Sequence, residues 1–113
     1  MKWLVLSLLV GCAEAPLEMS EYPCPEAGTP LTFDNFGAQF LNANCNTCHA
    51  ASAGHRHGAP ESYAFDTIDA VHAHRDRIFV RSAASNVSMP PGPEDPSAED
   101  REKLAEWLAC GAP

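Results

Sequence analysis

Apolar positions in this chain form one short run near the start, broken only by Ser7, and three stretches with helical spacing. In the first stretch, Phe33, Phe36, Gly37, Phe40 and Leu41 fall at i, i+3, i+4, i+7 and i+8. That is one stripe of a helix from Phe33 to Asn44. Thr32 is its natural N-cap, and Asp34 sits in the first turn where the helix dipole favours a negative charge. A second region, Phe65 to Ala83, reads as two short helices meeting near His74, with Ile68, Val71, Ile78 and Phe79 facing inward. The last stretch is the clearest. Ser97 caps it, Asp100 follows three residues later, and Leu104, Trp107 and Leu108 form the stripe. Gly111 supplies the left-handed stop and Pro113 follows. No run alternates with the period of a strand, so the expected fold class is all-α.

Between these stretches the sequence is loop. His49 to Ser62 is rich in Gly, Ala, Ser and His, and Asn86 to Pro96 is dominated by Met89-Pro90-Pro91-Gly92-Pro93. Ala13 to Pro30 is polar, acidic and proline-rich without any period. Residues 12–28 therefore read as a flexible tether and 29–113 as the folded domain. The 113 residues allow one domain. A hydrophobic content of 45% argues against a disordered chain. The formal charge of −8 predicts an acidic, solvated surface or a face that steers a basic partner, and it excludes nucleic acid as a ligand.

The apolar run at the start, Trp3 to Val10 behind Lys2, is too short to cross a bilayer and reads as the core of an export signal. Its end, Leu9-Val10-Gly11-Cys12, resembles the lipobox of bacterial lipoproteins. The resemblance implies removal of residues 1–11 and acylation of Cys12. The expected location is then the bacterial cell envelope, facing the periplasm, with acyl chains holding the protein to a membrane. An ordinary cleaved signal, or a buried apolar segment, is the alternative.

Cys45-Asn46-Thr47-Cys48-His49 is a C-x-x-C-H motif, the attachment signature of c-type haem. Two thiols three positions apart reach the two vinyl groups of one porphyrin, and the following imidazole is placed below the ring for iron. With this many Cys and His, chance supplies only roughly 0.01 such motifs in a chain of this length. A thioredoxin-like motif needs a strand before the first cysteine, whereas a helix is expected here. A tetrahedral zinc site needs two further convergent ligands, which His55 and His57 would have to provide. From about Thr29 onward the chain resembles small bacterial cytochromes c. In that family a glycine, a bulky residue and the first haem cysteine follow one another at intervals of four, as Gly37, Leu41 and Cys45 do. An aliphatic and an aromatic residue three apart on the last helix pack against the first helix, and Leu104 and Trp107 match them.

The resemblance implies about three to five helices around one covalent haem c, with the first and last helices crossing. It also implies a distal methionine ligand in the loop before the last helix, where Met89 precedes two prolines that stiffen the backbone. Arg81 is a weaker candidate for pairing with a haem propionate. His55, His57, His72 and His74 are read as surface residues. A bis-histidine haem using His55 or His72, and a second metal or pH-sensing role for His55 and His57, are the sharper alternatives. With Cys12, Cys45 and Cys48 accounted for, Cys24 and Cys110 remain. A disulfide between them is the simple closure in an oxidising compartment, and free thiols or pairing between chains are the other options. The expected function is electron transfer to and from redox protein partners, by an anchored carrier with His49 and Met89 as axial ligands. No set of catalytic acid, base or nucleophile residues accompanies the motif. A haem enzyme, a cytochrome subunit of a larger oxidoreductase and a non-haem metal-binding lipoprotein are the alternatives.

Overall fold

The computed structural model describes residue 11 and residues 14–113. The apolar run expected to be an export signal, and Cys12, lie outside the described residues. Regular structure is all helical, with no strand among the described residues. A single π-type turn, Phe33–Gly37, runs into helix α1, Ala38–Asn44. One helical turn, α2, covers Asn46–His49, and two longer helices follow, α3 at Ile68–Ser82 and α4 at Ala98–Ala109.

The start of the first helix is set by a reciprocal cap. Thr32 Oγ1 accepts from the amide of Asn35 at 3.1 Å, and Asn35 Oδ1 accepts from the amide of Thr32 at 2.7 Å. The opening turn is wider than an α turn, with the Ala38 amide bonded to the Phe33 carbonyl. This setting puts two phenylalanines against one ring, Phe33 at 6.5 Å and Phe36 at 6.1 Å from Trp107. Gly37 is buried directly beneath that ring, and an added Cβ would overlap Cζ2 and Cη2 of Trp107. Trp107 has no exposed surface, and its Nε1 donates to the Pro113 carbonyl at 3.2 Å, so the ring cannot swing aside. Gly37→Ala is therefore expected to cost about 2 to 3 kcal/mol, the upper part of the usual overpacking range, in urea unfolding. A loss below about 0.5 kcal/mol would show that the two elements can slide apart freely.

α4 is capped as the sequence predicts, with Ser97 Oγ accepting from the Asp100 amide at 3.1 Å. It ends in a Schellman arrangement. Gly111 has φ +99°, and the amides of Gly111 and Ala112 bond back to Leu108 and Trp107. α3 is one helix of 15 residues, not the two short helices expected. Its buried positions, Val71, Ile78, Phe79 and Ser82, keep one register throughout. The middle of the stripe is occupied by half-buried His74 and Arg75, whose polarity looked like a break. The core lies where Phe40 and Leu41, Val71 and Phe79, and Leu104, Trp107 and Leu108 meet.

The segment expected to be a free tether is packed from Leu17 onward. Leu17 forms two hydrogen bonds with the buried side chain of Asn86, amide to Oδ1 at 2.9 Å and carbonyl from Nδ2 at 2.8 Å. Tyr22 lies edge-on to Phe79 at 5.8 Å and donates to Glu102 at 2.9 Å. Thr29 donates to Glu106 at 2.6 Å, and Cys24 is joined to Cys110 by a disulfide. Each contact is made by an isolated residue, through its backbone at Leu17 and its side chain elsewhere, which is why no periodicity announced it. The folded unit thus begins near residue 17 rather than 29.

Candidate cofactor site

Helix α1 ends at Cys45, whose amide still bonds to Leu41 at 2.8 Å while its backbone leaves the helical region (φ −122°). The chain re-enters a single turn in which the amides of Cys48 and His49 both bond to the Cys45 carbonyl, at 3.2 and 3.0 Å. That turn places Cys45, Cys48 and His49 on one cleft. Both thiols are free. Among the described residues, no three His, Cys, Asp or Glu side chains converge as a cage for a metal ion. Burial pushes the Cys45 thiol up to about 12, with the positive charge of Arg101 a smaller opposing influence. This is opposite to the lowered value a redox-active C-x-x-C cysteine requires.

The imidazole of His49 is oriented from behind. Its Nδ1 lies 2.7 Å from the Tyr63 carbonyl oxygen, and its ring stacks on Phe65 with centroids 4.6 Å apart. A carbonyl only accepts, so Nδ1 carries the proton and Nε2 of the neutral ring keeps its lone pair for a metal. The Tyr63 carbonyl is held in turn by Arg56, which sequence reasoning did not single out. Its guanidinium donates to the carbonyls of Ala50, Ala59, Pro60 and Tyr63, and so fixes the loop after the motif.

Met89, Pro90 and Pro91 line the same cleft, as do Phe65 and Ile78. Met89 is 38% exposed. Its amide bonds to the Arg81 carbonyl at 2.9 Å, and its carbonyl accepts from Arg101 Nη1 at 2.9 Å. Arg77 and Arg81 border the cleft, and neither has a carboxylate partner among the described residues. The cleft is narrow, with a cavity volume of about 100 Å³, below the roughly 300 to 1,000 Å³ of small-molecule pockets. Two free thiols, an imidazole with a free nitrogen, a thioether and an apolar wall are the donors and surroundings that a covalently held haem requires. His55, His57, His72 and His74 do not line this cleft. His55 and His57 are exposed with rings 4.0 Å apart, His72 bonds to the Ala112 carbonyl at 2.8 Å, and His74 lies against Tyr63 at 4.7 Å.

Arg101 is the second residue that sequence reasoning missed, although a signal was present. It falls three, four and seven positions before Leu104, Ala105 and Leu108, on the apolar stripe of α4, and only 3% of it is exposed. A charged residue on a buried stripe demands partners. Compared with protein-family models, with curated proteins and with solved structures, the chain matches none.

Proposed function

We propose that this chain is a monohaem c-type cytochrome with the cytochrome c fold, carrying electrons between protein partners while acyl chains at Cys12 hold it to a membrane of the cell envelope. The observation that carries the reading is the C-x-x-C-H turn on the cleft, with His49 Nδ1 bonded to the Tyr63 carbonyl and its Nε2 left free. In this reading Cys45 and Cys48 would hold the haem through thioethers, and His49 and Met89 would ligate its iron. A bound haem would supply a one-electron couple whose potential depends on axial ligands, hydrogen bonding and burial.

The chain's own residues supply the rest. Tyr63 and Arg56 hold the imidazole in one orientation, so little motion accompanies a change of charge at its far nitrogen. Phe65 and Ile78 give the cleft apolar walls that exclude water. Arg77 and Arg81, without carboxylate partners among the described residues, are placed to meet acidic groups at the cleft's edge. Were His49 and Met89 both to hold the iron, the group would suit electron transfer rather than substrate turnover.

Protein purified from cells that mature cytochromes c is expected to give a c-type pyridine haemochrome and a mass increased by one haem. Met89→Ala is expected to keep that haemochrome while losing the red charge-transfer band of a methionine–ferric haem bond. Absence of the haemochrome in the native protein sinks the reading. A Met89→Ala protein with an unchanged spectrum would reassign the sixth ligand.

A further inference from the structure

We infer that Arg101 is the positioning residue for Met89, an inference that rests on the reading of Met89 as an axial ligand. The guanidinium is enclosed under the connection between α3 and α4. One nitrogen, Nη1, donates to three carbonyls of that connection: Ser82 at 2.8 Å, Asn86 at 3.1 Å and Met89 at 2.9 Å. The backbone carbonyl of Arg101 accepts from the Ala84 amide at 2.9 Å, so the same residue grips the segment from both ends.

The charge on Arg101 is not there for an ion pair. Its one carboxylate neighbour, Asp95, is 3.9 Å away with a side chain 54% exposed, a geometry that contributes little. A buried cation without adequate partners costs several kcal/mol, so the three carbonyls are what make the position tolerable. The reverse also holds. Beyond Ser82, the last residue of α3, the segment to Met89 contains no helix, and the carbonyls of Ser82, Asn86 and Met89 have Arg101 as a common donor. Asn86 adds a second peg, its Nδ2 donating to the carbonyls of Phe79 and Leu17. Release of the guanidinium would free the Met89 carbonyl while leaving the Asn86 peg and the core in place.

This separates two properties that a merely structural residue would link. Global stability depends on the core of α4, whereas retention of the Met89 thioether depends on how firmly residues 82–89 are held. The probe is added imidazole, which binds ferric iron only where Met89 has been displaced, so its apparent affinity reports the ease of displacement. Hydrogen bonds to a charged group contribute about 1.5 to 3 kcal/mol, so their loss should raise imidazole affinity about tenfold or more. Arg101→Met, similar in bulk and uncharged, is expected to bind imidazole at least about tenfold more tightly than the native protein. Arg101→Lys keeps the charge and should restore most of the difference, and Asp95→Asn should leave the affinity unchanged. Leu104→Val, on the same stripe, should lower the urea midpoint without moving the imidazole affinity.

If Arg101→Met and Arg101→Lys both bind imidazole as the native protein does, the inference is wrong while the haem reading stands. If Arg101→Met does not accumulate, Arg101→Gln, also uncharged, takes its place: native imidazole affinity in that variant overturns the inference. A native protein without haemochrome removes the function and this inference together.

Discussion

Replacing Cys24 and Cys110 together by alanine is expected to lower the unfolding free energy by about 4 to 5 kcal/mol, read from urea denaturation of the oxidised native protein and the variant. The bond joins residues 86 positions apart, and chain-entropy reasoning assigns about that amount to a loop of this length. A domain of this size has roughly 5 to 15 kcal/mol in all, so the variant would be close to unfolding at ordinary temperatures. Both cysteines must be changed, because a single replacement leaves a thiol able to pair with Cys45 or Cys48. A loss below about 2 kcal/mol would mean that Leu17, Tyr22 and Thr29 hold the N-terminal strap in place without the covalent bond.

Trp107→Ala is expected to cost about 3 to 5 kcal/mol. Its ring is wholly buried and packs on Phe33, Phe36 and Gly37, so its removal opens a cavity between the first helical turn and α4. Glycine offers no side chain to fill that space. The Pro113 carbonyl would also lose one of its two donors, Trp107 Nε1, and keep only the Phe33 amide at 2.7 Å. Trp107→Phe should recover most of the apolar burial but not that hydrogen bond. If the alanine variant unfolds within about 1 kcal/mol of the native protein, the contact with Gly37 is not part of the core as described.

Features written in neighbouring residues were legible in the sequence. The caps at Thr32 and Ser97, the stripe of α4 and the Gly111 stop each depend on residues within a few positions. The resemblance put Gly37 on a helix that packs against the one carrying Trp107, and Gly37 lies beneath that ring. Features set by distant partners were not. The wide turn at Phe33–Gly37 answers to a tryptophan seventy positions on, and helical spacing alone predicts an ordinary α turn there. Arg56 and Arg101 act through backbone carbonyls, which carry no residue identity to read. The strap from Leu17 to Thr29 docks by single contacts that share no period. The motif turn and Met89 were both picked out by sequence and lie on one cleft, but what orients His49 came from Tyr63, a residue that no motif marks.

The long-range disulfide also imposes an order on biosynthesis. In a chain threaded outward from its N-terminus, Cys24, Cys45 and Cys48 all arrive before Cys110, which follows Cys48 by 62 positions. Until it arrives, every disulfide the chain can form among these cysteines is one the finished protein lacks. Oxidation in that interval competes directly with the thioether chemistry proposed for the motif, since both consume the same two thiols. Under the proposed function, the host that makes this protein would need a reducing supply for Cys45 and Cys48 in the compartment that oxidises Cys24 and Cys110. Loss of that supply would trap the chain in wrong pairings before its last helix is complete.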